Sequence, residues 1–216
     1  MYARIGYTAT ASYFHWIVAF PLIGTVGTVL KAQQAPKEEK GEWMWRHKSL
    51  GLLTGMVVVP RVAYRLLSRD SYHVQNLLGN SSTENFLGKI THYMLYGFMT
   101  IMPATGVAMG YYGGKGLPFF ATTFPGVVAT DDETKKRNGQ IAKQVCTAIE
   151  INKVWCSSHT NLSLYVLVAK KSFNIHKQLG VYGKYLIPVH VGASFLHYFR
   201  GQVIYARINP FRPPRG

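Results

Sequence analysis

Four blocks of mainly apolar residues divide the chain, at about residues 12–30, 45–67, 86–112 and 173–205. Each block is long enough to cross the hydrocarbon core of a bilayer, which takes about 20 helical residues. The first block contains no Lys, Arg, Asp or Glu and is apolar on every side, which disfavours the striped helix of a soluble bundle. The pattern therefore predicts an all-α membrane protein, built as a bundle of four transmembrane helices.

Four crossings place both termini on one side of the membrane, called side A, and the first and third connections on the other, side B. The chain forms a single membrane domain, residues 1–216, with a long insert at residues 113–172 between helices three and four. We expect a loop around Pro118, Pro125 and Gly126, followed by a helix over residues 132–155.

The insert holds both cysteines of the chain, Cys146 and Cys156. A disulfide between them fits an oxidising side B, and two free thiols fit a reducing one.

Composition supports a membrane protein over a nucleic-acid-binding one. The 216 residues include 24 Lys and Arg against 9 Asp and Glu, a net charge of +15, yet only 15% of residues are charged and 48% are hydrophobic. An ordinary soluble domain has about 25% charged residues. We expect the basic surplus to meet anionic lipid headgroups or to attract an anionic donor, and we expect no nucleic-acid partner.

Histidines carry the candidate chemistry. The chain has eight, namely His15, His47, His73, His92, His159, His176, His190 and His197. Six of them lie within a proposed span or at its edge, and ionisable residues at membrane depth mark a function by default.

The depth of the histidines predicts how they pair. His176 and His190 are 14 residues apart, which is a rise of about 21 Å on nearly the same face of helix four. His47 opens helix two on side B and can meet His176, while His15 lies near side A and can meet His190. Two bis-imidazole sites about 20 Å apart suit transmembrane electron transfer through two b-type haems.

Other metals fit this arrangement less well. Zinc needs three or four ligands at one depth, and copper or non-haem iron favours thiolate or carboxylate ligands. No proposed span contains Asp or Glu. Two histidines suit a porphyrin, which supplies the other four nitrogens, and leave iron that carries electrons without binding oxygen.

The other candidate residues have open roles. His92 either competes with His15 for His190 or contacts a haem propionate or a quinone, and His197 lies at the headgroup boundary. Four arginines either pair with propionates or anchor the bundle at the interface: Arg46, Arg61, Arg65 and Arg200.

Sequence motifs in all four blocks resemble those of one family. The segments are YFHWIVAF in helix one, RHKSLGLLTGMVVVPRVAYRL in helix two, THYMLYGFMTIMPATGVAM in helix three, and NIHKQLGVYGKYLIPVHVGASFLHYFRGQVIYARINPF in helix four. Together they resemble the bacterial-type cytochrome b561 proteins, which are four-helix dihaem quinone oxidoreductases.

The resemblance implies that His15 and His190 bind one haem b and that His47 and His176 bind the other. It also implies electron exchange with ubiquinone or another quinone, with superoxide or a redox protein as donor. The expected location is a bacterial inner membrane or the inner membrane of a mitochondrion.

An accessory haem-binding subunit of a respiratory or photosynthetic complex is the alternative. The 113–172 insert is longer than the connection usual in this family, and it would either cover the side-B haem or dock onto another subunit. A histidine-lined transporter is disfavoured because ion pathways usually include intramembrane carboxylates.

Overall fold

The computed structural model describes residues 6–68, 76, 79–126 and 164–211, and four long helices dominate them. The elements in chain order are α1 (Ala9–Gln34), α2 (Lys37–Leu67), α3 (Ser82–Tyr112), β1 (Leu117–Phe119), β2 (Thr122–Phe124), α4 (Leu164–Phe199) and α5 (Ile204–Arg207). Among the described residues, α1 and α2 are long and apolar enough to cross a membrane. The helices α3 and α4 exceed the length of a crossing, and the total of four crossings stays a prediction.

The first two apolar blocks leave residues 31–44 between them as a predicted loop, but the connection in the structure is much shorter. Only Ala35 and Pro36 separate α1 from α2. The polar residues that follow Pro36 are rich in Lys and Glu, which are good helix formers, and Glu38 and Glu39 lie favourably in the first turn. Both helices therefore continue as polar ends beyond their apolar blocks.

Helix four ends earlier than the apolar block predicted. The block extends to Tyr205, but α4 ends at Phe199. Gly201 has a φ of +74°, a left-handed conformation that glycine adopts without steric cost and that turns the chain away from the helix axis. The short helix α5 follows this turn.

A short hairpin replaces the loop predicted around Pro118. Strands β1 and β2 pair antiparallel, with Leu117 opposite Phe124 and Phe119 opposite Thr122. The loop prediction is wrong here because the aromatic and β-branched residues of this stretch favour strands. The predicted helix over residues 132–155, with Cys146 and Cys156, lies outside the described residues.

The helices pack as two pairs, and the two pairs contact each other between α2 and α3. Helix α1 packs against α2, α3 against α4, and α2 against α3, whereas α4 makes no extensive contact with α1 or α2 among the described residues. Among the described residues, one cluster of buried apolar side chains comprises Val18, Val58, Leu95 and Met99.

Large apolar side chains cover the outer surface of the bundle. Phe20 is 68% exposed, Val59 69% and Tyr182 73%. An exposed apolar surface of this extent marks a contact with lipid or with another protein. Combined with the length of the helices, it is typical of a helical membrane protein.

Candidate functional site

The first histidine pair lies at the side-B end of the bundle, between α2 and α4. The ring centroids of His47 and His176 are 6.3 Å apart, and the ring planes make an angle of 73°. His47 is buried, and His176 is half-buried.

Hydrogen bonds fix which nitrogen of each side-B histidine is free. His47 Nδ1 lies 2.9 Å from the carbonyl oxygen of Thr25 on α1. His176 Nδ1 lies 3.1 Å from the carbonyl oxygen of Met102 and 3.1 Å from Thr105 Oγ1 on α3. A carbonyl oxygen only accepts, so each Nδ1 carries the hydrogen, and each Nε2 lone pair is available to a metal.

The second pair lies at the side-A end, between α1 and α4. The ring centroids of His15 and His190 are 6.4 Å apart, with 52° between the ring planes. Both side chains are half-buried. The indole of Trp16 lies against His15 in an edge-on arrangement, with ring centroids 5.3 Å apart.

Both pairs have the separation that two imidazoles need on opposite sides of one metal ion. With a metal–nitrogen bond of about 2.0 Å and a ring centroid about 1.1 Å beyond the bonded nitrogen, the two centroids would be about 6.2 Å apart. Within the described ranges, no group of three or more His, Cys, Asp or Glu side chains is placed to hold a metal ion. Among the described residues each pair therefore offers an ion two ligands, and a porphyrin would supply four more.

Helix spacing and small residues also fit a flat cofactor. Both histidine pairs span helix pairs that do not pack closely, namely α1–α4 and α2–α4. Gly106 lies beside the His176 ring, and a Cβ atom at this position would lie 3.4 Å from His176 Cε1. A larger side chain at Gly106 would push into the ring.

His92 lies beside the side-A pair at a different distance. Its ring centroid is 5.3 Å from that of His190, with 74° between the planes, and its side chain is exposed. This separation is shorter than the one expected across a metal ion. The geometry therefore favours a contact of His92 with a haem propionate or a quinone over competition with His15 for His190.

Two of the four candidate arginines lie near the side-A histidines. Arg61 is stacked over the ring of Tyr96, with its guanidinium carbon 5.4 Å from the ring centroid. Its positive charge acts on all three histidine rings of this end. Arg65, one helical turn further along α2, is half-buried.

Arg46 lies at the opposite end of α2, next to His47. It pairs with Glu42 and lies over the ring of Trp43 at 4.6 Å. It also lines a cleft of about 540 Å³ between the hairpin and the first two helices. The lining residues are Thr28, Trp43, Trp45, Arg46, Ser49, Leu50, Phe120 and Ala121.

His197 and Arg200 have partners outside the histidine pairs. His197 Nδ1 lies 2.5 Å from Gln202 Oε1, and Arg200 donates to Glu84 at 2.6 Å. The hydrogen bond from Arg200 lowers the pKa of Glu84, with a further contribution from the backbone N–H of Ser81. The carboxylate therefore stays ionised into the mildly acidic range, and the ion pair weakens only as the pH falls through this lowered pKa.

A helical membrane bundle with facing histidines defines a class, the membrane-bound b-type cytochromes, which transfer electrons. The family described as prokaryotic cytochrome b561 matches residues 6–209, and the chain belongs to this family. The comparison with curated proteins gives no match. Family membership makes the chain a haem-binding membrane protein of electron transport.

The sequence did not point to the groups that orient the side-B histidines. Thr25, Met102 and Thr105 lie on different helices from the rings that they contact. Two of these contacts use backbone carbonyls, which every residue has, so the residue types give no signal. The distances along the chain are 22 and 74 residues for the two carbonyl contacts.

Proposed function

We propose that the protein is a dihaem cytochrome, with one haem b held by His15 and His190 and the other by His47 and His176. The observation that carries the proposal is the pair of ring separations, 6.4 Å and 6.3 Å, at two positions of α4 that are 14 residues apart. A haem held by two imidazoles has both axial positions filled and exchanges single electrons without binding oxygen.

The surrounding residues tune the side-B ligands. Each Nδ1–H is donated to a backbone carbonyl, at Thr25 for His47 and at Met102 for His176. This bond keeps the ring in one tautomer, fixes its orientation and makes Nε2 a stronger electron donor. The two ligands on α4 are 14 residues apart, so the sites are separated by about 21 Å along the helix.

Basic residues at both ends suit the carboxylates of the cofactors. Arg61, Arg65 and His92 would contact propionates or a quinone at side A, and Arg46 would do so at side B. Guanidinium groups bind carboxylates through two parallel hydrogen bonds. His197 and Arg200 are already bound to Gln202 and Glu84, so we assign them to the structure of the side-A end.

The electron acceptor that we propose is ubiquinone or another quinone of the membrane, and the donor is superoxide or a redox protein. The net charge of +15 supports an anionic donor, because a positive surface speeds its encounter. The proposed location is a multi-pass position in a bacterial inner membrane or the inner membrane of a mitochondrion.

A haem count with single-ligand variants tests the proposal. The purified chain should give a low-spin b-type reduced-minus-oxidised spectrum and two haems per polypeptide in a pyridine haemochrome assay. His15→Ala and His190→Ala should each lose the same haem, while His92→Ala, the matched control in the same cluster, should keep both. Loss of different haems from the two ligand variants, or one haem in the unmodified chain, would refute the assignment.

A further inference from the structure

The last part of the described chain crosses the side-A end of the bundle. Residues 200–211, here called the C-terminal strap, leave α4 at the left-handed Gly201 and include α5. The strap contacts α3 and then α1, and it is tied to both by side-chain hydrogen bonds.

The attachment to α3 is polar. Arg200 donates to Glu84 at 2.6 Å, and Gln202 Nε2 donates to Asn80 Oδ1 at 2.9 Å. Glu84 also belongs to the capping box of α3, in which it accepts from the backbone N–H of Ser81. The start of the strap is therefore fixed to the N-terminus of this helix.

The attachment to α1 joins residues almost 200 positions apart. The indole Nε1–H of Trp16 donates to the carbonyl oxygen of Ile208 at 3.0 Å. The backbone N–H of Tyr7 donates to the carbonyl oxygen of Arg207 at 3.1 Å. Two consecutive carbonyls of the strap are thus bound to α1 and the residues before it.

Trp16 lies between the strap and a proposed haem ligand. Its ring contacts the His15 ring edge-on, with 89° between the planes. The contact with His15 and the hydrogen bond to Ile208 together fix the indole on two sides. A membrane anchor alone would direct its N–H to the headgroups, but this N–H is used within the protein.

The strap bears on the spacing of the side-A pair, because α1 and α4 make no extensive contact along their length. His15 is on α1 and His190 is on α4, and the strap runs from the end of α4 back to α1. We infer that Trp16 is a positioning residue: through Ile208 it couples the C-terminal strap to the His15 ring and holds this ring relative to His190. The inference rests on the proposed ligand role of His15.

Trp16→Phe tests the inference, because it keeps an aromatic ring and removes the N–H. The matched control is Trp45→Phe at the side-B end, where the indole donates to the Phe120 carbonyl at 2.9 Å and lies two residues from His47. In the oxidised protein, Trp16→Phe should shift the electron paramagnetic resonance g values of the haem that His15→Ala removes. The other haem signal should not change, and Trp45→Phe should leave the side-A signal unchanged.

A truncation after Arg207 removes the Ile208 carbonyl, which accepts the hydrogen bond from Trp16, and so breaks this bond from the side of the strap. It also removes the Phe211 ring, which contacts Tyr13 on α1, so Phe211→Ala is its control and should leave the side-A signal unchanged. The truncation should shift the side-A signal in the same direction as Trp16→Phe, and combining the two should add nothing, because both break the bond between Trp16 and Ile208. Additive shifts, or equal shifts in both haem signals, would overturn the inference.

Amide hydrogen exchange measures how firmly the strap is held, and this measurement does not depend on the haem signals. In Trp16→Phe, the amide of Tyr7 should exchange about tenfold faster, because the strap that holds it is loosened. Faster exchange with an unchanged side-A signal would overturn the coupling to His15 and leave the proposed function intact. An unmodified chain without two haems would overturn the proposed function and the coupling with it.

Discussion

Single hydrogen bonds set the orientation of the side-B histidine rings. His47 is carried by α2, but its Nδ1–H is directed to the carbonyl of Thr25 on α1. Thr25 is itself fixed, because its hydroxyl lies 3.2 Å from that of Thr54 on α2 and donates to the Pro21 carbonyl. The ring orientation is therefore set by two helices at once.

Thr105→Val tests the contribution of one such bond to the electron chemistry. His176 would keep the Met102 carbonyl as acceptor and lose the hydroxyl, so its Nε2 would become a weaker donor. The reduction potential of the side-B haem should rise by about 20–60 mV, the equivalent of one modest hydrogen bond. A spectroscopic redox titration measures the two potentials separately.

Thr100→Val is the matched control on the same helix. Thr100 is exposed, and its hydroxyl donates to the Tyr96 carbonyl of its own helix. Neither potential should change in this variant. A Thr105→Val protein with both potentials unaltered, or with only the side-A potential raised, would contradict the assigned role.

At the scale of helices, glycines permit the close approach of α3 and α4. A Cβ atom at Gly183 would overlap the ring of Phe98, and this phenylalanine is buried. Gly55 of α2 similarly approaches Pro103 of α3, where a Cβ would lie 3.0 Å from Pro103 Cβ. Small residues of this kind replace the hydrophobic effect as the basis of packing between membrane helices.

Gly183→Ala should destabilise the bundle by about 1–3 kcal/mol, because α4 must move away from Phe98. Thermal unfolding in detergent, followed by loss of haem absorbance, should show a lower Tm. The control is Gly97→Ala on α3, where a Cβ would meet no atom within 4 Å, and its Tm should stay the same or rise slightly. Equal Tm values for the two variants would show that Phe98 adapts without cost.

The long helices and the depth of the histidines along them could be predicted from the sequence, because both depend on local pattern. Apolar length fixed the blocks, and the helical repeat placed His176 and His190 on one face. The helix ends were missed because Lys37 to Lys40 are polar yet helical, and the hairpin at Leu117 was missed because Pro118 and Pro125 suggested a loop. Contacts between distant segments, such as Trp16 with Ile208, depend on the packing of whole helices and leave no local signal.

At the scale of the whole molecule, the two ends of the described chain lie at one end of the bundle. The hydrogen bond between Tyr7 and Arg207 brings residues 200 positions apart to 3.1 Å. If the long helices cross the membrane as predicted, this closeness requires an even number of crossings. The three long helices before the hairpin and the one after it are consistent with the predicted four.

Reporter fusions test this topology. Alkaline phosphatase, which is active only outside the cytoplasm, would be fused after Gly216 and, in a second protein, after Pro36 between α1 and α2. The two fusions should give opposite activities in a bacterial host, and an N-terminal fusion should agree with the C-terminal one. Equal activity at Pro36 and Gly216 would mean an even number of crossings after α1 and would contradict the predicted topology.

The open contact between α4 and the first two helices has a consequence for the life of the protein in the cell. Under the proposed ligation, each haem joins one histidine of the α1–α2 pair to one histidine of α4, so the two haems link the α1–α2 pair to the α3–α4 pair. A newly inserted chain would lack both haems, and its two helix pairs would be held together mainly by the contact between α2 and α3. Since membrane proteases degrade chains that open, the proposed ligation predicts that the abundance of the protein follows the supply of haem during biogenesis.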